Sequence, residues 1–184
     1  SQAEITLPLS AAQLRDRGLA ASTLEALGEA GWAPQRLIFD ICPGAAISQC
    51  KIALSNIEAL RAAGVRIAVS EFAAGIAGLS MARTYEVDRV RLDLDHIKAI
   101  AGESRTQHML GLFLQLASTV GTPVSLIGVD SERDFRIACA AAAPEVEGRY
   151  VGAGLSGAEA GHYLAALNSR ASADRESGAL RKAG

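Results

Sequence analysis

Short, nearly continuous runs of apolar residues alternate with longer amphipathic segments along almost the whole chain. The apolar runs lie within residues 4–10, 36–42, 65–72, 87–95, 123–129 and 145–152. Helical spacing of apolar residues marks the segments between them, at residues 11–31, 46–64, 75–84, 106–121, 131–143 and 156–170. Strands that are apolar along their whole length are typical of parallel sheets covered by helices. The pattern predicts about six parallel strands joined by helices, with the 11–31 segment forming one helix or two.

Parallel strands with right-handed crossovers form either a doubly wound sheet or a barrel. Neither GxGxxG nor GxxxxGK[ST], the phosphate-binding motifs of nucleotide folds, follows any of the apolar runs, which favours the barrel. A complete (β/α)8 barrel takes about 250 residues and eight strands, whereas this chain has 184 residues. We therefore predict an incomplete TIM-barrel-like α/β fold over residues 1–170, followed by a polar C-terminal tail at 171–184.

Composition and charge exclude several classes of function. The net charge is −2, basic and acidic residues are interspersed, and aromatic residues make up only 4% of the chain. These values argue against a nucleic-acid polymer as partner. No apolar run is long enough to cross a bilayer and no signal peptide opens the chain, so we expect a cytoplasmic protein without a membrane segment. The abrupt opening, SQAEITLPLS, resembles a domain cut from a longer protein.

Cysteine and histidine positions do not indicate a metal site. The three cysteines form no CxxC pair and no zinc spacing with histidine, so we expect free, partly buried thiols. His96, His108 and His162 lie on separate predicted helices without an HxxxH partner, which argues against metal binding.

The order of several motifs resembles the EAL-domain family of TIM-barrel phosphodiesterases, which hydrolyse cyclic di-GMP. The motifs are ITLPLS, RLIFDIC, GVRIAVSEFAAGIAGLS, EVDRVRLDLDHI, GTPVSLIGVDSERDF and EGRYVGAGLS. The resemblance extends from residue 4 to about residue 167. The family's first two strands, with the Glu-Ala-Leu signature, have no counterpart in this sequence, so the resemblance implies a degenerate member whose barrel is open on one side.

The resemblance also implies that most of the family's metal-binding positions have changed. The family holds divalent cations with acidic and amide side chains at the strand ends, and these cations activate a water molecule. An asparagine of the family falls at Pro8, a glutamate at Asp40, and paired aspartates at Ser70 and Glu71. A lysine falls at Arg91 and a further glutamate at Ile127, while Asp93 is retained and a glutamine falls at Glu147. We therefore expect no catalytic residues, no metal ligands and no cofactor, with Mg²⁺ binding only if a residual site survives.

Several polar residues remain at the expected mouth of the barrel. The candidate ligand-binding positions are Asp40, Glu71, Asp88, Arg91, Asp93, Gly128, Asp130 and Glu147. Their carboxylates would form one residual cation site, serve as electrostatic partners of Arg91, or act structurally as ion pairs and helix caps. For Asp130, which precedes the 131–143 helix, a favourable interaction with the helix dipole is the structural alternative.

These observations leave three hypotheses open. The first is a catalytically inactive regulatory domain of bacterial cyclic di-GMP-related signalling, which acts through a protein partner or self-association that covers the open side of the barrel. The second is a receptor domain that binds cyclic di-GMP without hydrolysing it. The third is residual phosphodiesterase activity. The sequence does not decide whether cyclic di-GMP binds, whether the family's first two βα units are truly absent from the protein, or which protein partner, pathway or oligomeric state applies.

Overall fold

Five parallel strands form one sheet in the computed structural model, which describes residues 3–42, 50–70, 87–102 and 104–166. The strands are β1 (Ile5–Leu9), β2 (Leu37–Ile41), β3 (Arg66–Val69), β4 (Arg89–Asp93) and β5 (Val124–Ile127). Each strand pairs with the next one in the sequence, in the order β1-β2-β3-β4-β5. A doubly wound sheet would reverse its strand order at a switch point. The uninterrupted order confirms the predicted TIM-barrel-like arrangement, which is incomplete.

The helices lie between the strands, as expected for a parallel sheet. They are α1 (Ala11–Leu14), α2 (Leu19–Glu29), α3 (Lys51–Ala62), α4 (Leu94–Ala101), α5 (Thr106–Val120) and α6 (Glu132–Ala140), and a single 3-10 turn spans Pro34–Arg36. The predicted 11–31 segment thus forms two helices. The predicted 75–84 helix lies outside the described residues, and the bounds of α4 were not predicted. None of the described helices has the length and apolar character needed to cross a bilayer.

One face of the sheet packs against the helices and forms the core. Ile67, Val69 and Leu92 are completely buried in it and belong to a single hydrophobic cluster. Burial of each such side chain stabilises the fold by about 1.5–3 kcal/mol. In β1, Leu9 is in register with Val69 through β2 and is buried, whereas Ile5 and Leu7 are 42% and 45% exposed. The core therefore thins out towards β1, which among the described residues pairs only with β2.

The sixth predicted strand is much shorter than expected. Instead of residues 145–152, only residues 145–147 pair with β5, around a single parallel bridge between Leu126 and Val146. Gly148 follows with φ +158°, and a Cβ atom at this position would overlap the backbone of Val129. The chain then turns, because the amides of Val151 and Gly152 both donate to the carbonyl of Gly148.

Two further sequence expectations can be compared with the structure. None of the three cysteines forms a disulfide bond, but Cys42 and Cys139 are exposed, so only Cys50 matches the predicted partial burial. Residues 153–166 belong to a second compact unit. Within it residues 157–166 are helical, and Ser156 and Glu159 cap the helix start reciprocally.

Candidate functional site

The inner face of the sheet, opposite the helices, carries several charged side chains. Successive side chains of a strand point to opposite faces of the sheet. Asp40 therefore points to the face opposite that of the buried residues on either side of it in β2. Strand register pairs Asp40 with Ala68 and Ala68 with Arg89, which places Arg91 and Asp93 on the same inner face. The inner face of the sheet therefore carries the charged side chains of Asp40, Arg91 and Asp93.

Arg91 lies between two carboxylates near the C-terminal ends of the strands. Its Nη1 atom donates to Asp40 Oδ2 at 2.5 Å, and its Nη2 atom donates to Glu147 Oε2. The side chains of Asp40 and Arg91 are 7% and 13% exposed, whereas that of Glu147 is 38% exposed. Burial alone would lower the pKa of Arg91, but the charges of Glu147 and Asp40 raise it above its ordinary value. The guanidinium group is held in its charged form between the two carboxylates.

Sequence reasoning missed a second ion cluster at the opposite end of the strands. Glu4 contacts Arg66 at 2.5 Å and Arg89 at 3.5 Å, and Arg89 also contacts Glu145 at 2.7 Å. Glu4 precedes the first strand and Glu145 begins the last paired segment, yet both reach the same guanidinium group. The sheet is therefore curled, and its inner face is concave. The alternation of Arg89 with buried Val90 was the available signal that Arg89 faces inward.

Asp93 and Gly128 lie together where β4 and β5 end. Asp93 Oδ1 accepts hydrogen bonds from the amides of Asp95 at 2.8 Å and His96 at 3.3 Å, so this carboxylate caps α4. Gly128 has φ +80°, and a Cβ atom there would lie 3.5 Å from Asp93 Oδ1. Asp93 thus caps a helix N-terminus, which is one of the structural roles expected from the sequence for these carboxylates.

Of the other candidate residues, Asp130 and Asp88 are described, and both form hydrogen bonds with groups other than Arg91 and Asp93. Asp130 bonds the amide of Arg149 at 2.8 Å and its Nε at 2.9 Å, and these bonds lower the pKa of Asp130 despite an opposing effect of burial. The cap of α6 is its neighbour Ser131. Asp88 lies at the N-terminal end of β4, away from the mouth, where it accepts a bond from the amide of Ile67 at 2.8 Å. Glu71 lies outside the described residues.

A buried ion pair between α4 and α6 was also missed. Lys98 Nζ lies 2.7 Å from Asp134 Oδ1, and Asp134 is only 6% exposed. Burial acts to raise the pKa of Asp134, but hydrogen bonds from Lys98 and Ser131 outweigh it and lower the pKa. The pair borders a cavity of about 180 Å³. The pairing depends on the packing of two helices, which no local sequence signal specified.

The described residues do not fit a divalent metal ion. No group of three or more histidine, cysteine or acidic side chains in the described ranges is placed to hold one. Asp40 Oδ1 is buried without a hydrogen-bond partner, but the other oxygen of this carboxylate already binds the cationic Arg91. A metal ion there would be repelled by the guanidinium group. At the end of β5 the inner-face residue is Ile127, which offers no ligand atom.

A curled, uninterrupted parallel sheet with helices between its strands defines an incomplete TIM-barrel-like protein whose polar residues cluster at the strand ends. The EAL domain family model matches residues 1–153. The chain belongs to the EAL domain family.

Related proteins agree with this assignment. The chain is 28% identical over 148 residues to an uncharacterized signaling protein of Caulobacter vibrioides, covering 80% of the chain and 18% of that protein. It is 26% identical over 128 residues to MucR of Pseudomonas aeruginosa, a bifunctional diguanylate cyclase/cyclic di-GMP phosphodiesterase, covering 70% and 19%. The chain thus spans about a fifth of the length of these two relatives.

Solved structures of EAL domains have the same fold. The EAL domain of Mycobacterium smegmatis DcpA matches with a TM-score of 0.75 at 19% identity, covering 88% of this chain and 72% of that one. The PaMucR phosphodiesterase in complex with c-di-GMP matches with a TM-score of 0.69 at 23% identity, covering 81% and 60%.

Proposed function

We propose that this EAL domain takes part in cyclic di-GMP signalling without hydrolysing the nucleotide, and that it acts through contact with a protein. The observation that carries the proposal is the position of Arg91, whose guanidinium group is paired with both Asp40 and Glu147. The nucleotide is inferred from the relatives, since MucR is named as a cyclic di-GMP phosphodiesterase.

The chemistry of Arg91 supports the loss of hydrolysis. A metal ion contributes to phosphodiester cleavage by neutralising the phosphate and by generating hydroxide from a bound water. A guanidinium group neutralises negative charge, but it stays protonated and has no coordination position for water. Arg91 therefore cannot activate water in place of a metal ion, and its charge is already paired with Asp40 and Glu147.

The exposed apolar surface beside β1 supports protein contact. Ile5 and Leu7 border a cleft of about 320 Å³, together with Trp32, Leu37 and Phe39. Within the described ranges β1 has an unpaired edge next to this cleft. An unpaired edge with adjoining apolar side chains favours association with another protein surface, either of a partner or of a second copy.

A turnover assay with the full 184-residue chain tests the absence of hydrolysis. Cyclic di-GMP is incubated with the protein and either Mg²⁺ or Mn²⁺, and linear dinucleotide is measured by chromatography. We expect no product above the protein-free control. Product that disappears in an Asp93→Asn variant, which keeps an oxygen to cap α4, would refute the proposal.

Titration calorimetry separates protein contact from a receptor function. The receptor alternative is supported by the named c-di-GMP complex among the similar structures. Our proposal predicts no binding heat with cyclic di-GMP at high micromolar concentration. Saturable heat that an Arg91→Gln variant removes would instead support the receptor hypothesis.

A further inference from the structure

A second polar cleft lies between the α1–α2 turn and the start of α3, outside the group around Arg91. Its volume is about 350 Å³, and it is lined by Arg17, Lys51, Ile52, Ser55 and Asn56. This volume falls within the range of small-ligand pockets. The cleft thus contains two cationic side chains, a hydroxyl group and an amide, but no carboxylate.

Within the described ranges, the two cations of this cleft lack an acidic partner, unlike the arginines of the inner face. Arg66, Arg89 and Arg91 each contact at least one carboxylate. Neither Arg17 nor Lys51 has an ion-pair partner in the described part of the chain. Two cations that face no carboxylate among the described residues, in a concave site on a chain of net charge −2, favour an anionic ligand.

The walls of the cleft are held in place by a buried side chain. Asn56 of α3 is 6% exposed, and its Nδ2 atom donates to the carbonyls of Leu14 at 2.9 Å and Asp16 at 2.7 Å. These bonds fix the turn that carries Arg17 against the helix that carries Lys51. The backbone segments that carry the two exposed cations are therefore held against each other, which reduces the entropic cost of bringing both cations to one ligand.

The start of α3 adds positive potential to the same place. The residue that precedes α3 is Cys50, whose sulfur accepts hydrogen bonds more weakly than the oxygens that cap α1, α4 and α6. The Ala53 amide lowers the pKa of the Cys50 thiol, burial opposes this effect, and the Ile52 amide and Arg15 lower the pKa further. Negative charge is thus stabilised at the helix start.

We propose that this cleft binds a dianionic phosphate group, with Arg17 and Lys51 providing the charge and Ser55 a hydrogen bond. Phosphate fits better than a carboxylate because several donors converge from two walls and phosphate offers acceptor oxygens in several directions. No aromatic side chain lines the cleft, so the site recognises the phosphate group itself, whether free or part of a small phosphomonoester. This inference is independent of the proposed function.

The test is an NMR titration of the full chain, which follows the backbone amides of residues 17–18 and 51–55. Inorganic phosphate is added at constant ionic strength, maintained with chloride, and glycerol 3-phosphate is added in a parallel series. We expect saturable shifts in the millimolar range. Similar affinities would identify free phosphate as a sufficient ligand, whereas tighter binding of glycerol 3-phosphate would identify a phosphomonoester.

Three variants make the test specific. Lys51→Gln and Arg17→Gln each remove one cation of the cleft and should weaken binding by about five-fold. Arg136→Gln removes the same charge at an exposed position on α6 and should leave the affinity unchanged. Shifts that do not saturate in the wild type overturn the proposal, as does an equal loss of affinity in the Arg136→Gln variant.

Discussion

Replacing Arg91 by methionine tests whether this guanidinium group neutralises a buried charge. The variant leaves the Asp40 carboxylate, which is only 6% exposed, without its cation. Breaking a buried pair by removing one partner costs about 3–5 kcal/mol. We expect a loss near the lower limit, about 3 kcal/mol, because Arg91 itself is 13% exposed. Its second partner, Glu147, remains 38% exposed and adds less than about 1 kcal/mol.

A double-mutant cycle isolates the contribution of the pair. The Asp40→Asn/Arg91→Met double variant contains no unpaired buried charge, so it should be more stable than Arg91→Met by about 2 kcal/mol. Urea unfolding followed by circular dichroism and by the fluorescence of Trp32, the single tryptophan, gives the free energies. The matched control is Arg136→Met, at a side chain that is 73% exposed, with an expected change within about 0.5 kcal/mol. A loss below 1 kcal/mol for Arg91→Met, or no recovery in the double variant, would refute the reasoning.

Three further predictions concern a turn, an ion pair and a helix cap. Gly148→Ala should lower the free energy of unfolding by about 3 kcal/mol, because a Cβ atom there overlaps the backbone of Val129. Gly152→Ala, whose Cβ atom would meet no neighbour, is the control in thermal unfolding, and an equal loss would contradict the explanation. Asp134 has a folded pKa below its unfolded value, about 3.9. The contribution of Asp134 to the free energy of unfolding is therefore complete above the unfolded pKa. It is lost as the pH falls through the lower folded pKa. Urea unfolding between about pH 5 and pH 2 should accordingly show a weaker pH dependence for Asp134→Asn, and an unchanged profile would exclude this role. Asp93→Ala should cost about 1 kcal/mol in urea unfolding through loss of the α4 cap, whereas Asp93→Asn should stay close to the wild type; equal losses would show that capping is not the cause.

The positions of the strands along the chain could be predicted because each buried strand is a short, continuous apolar run. The run at 36–42, for example, yields β2 at Leu37–Ile41. The helix after β4 was not delimited, because Asp93 is both the last residue of the strand and the cap of the helix. No turn residue separates the two elements. The last strand was predicted too long, since its apolar residues continue beyond Gly148 although the backbone turns there.

The sequence indicated the members of the candidate site and offered its carboxylates as partners of Arg91, but it did not identify which carboxylates pair with it. Arg91 was named with Asp40 and Glu147, but its contacts span 51 and 56 residues of sequence. They depend on strand register and on which side of each strand faces inward. Asp88 was wrongly included among the candidate residues at the mouth of the barrel, since it lies at the N-terminal end of β4. Its closeness to Arg91 in the sequence does not show at which end of the strand it lies.

The most direct test of the central claim is whether a divalent ion binds beside Asp40. Mn²⁺ is titrated into the full chain, and paramagnetic broadening is measured at the amides of Ile41 and Leu92, which adjoin Asp40 and Arg91 in the sequence. Because Arg91 already neutralises this carboxylate, we predict no saturable broadening at these amides. Selective broadening that saturates at micromolar Mn²⁺ would show that a metal ion competes with Arg91, and would contradict the proposal that this domain does not hydrolyse cyclic di-GMP.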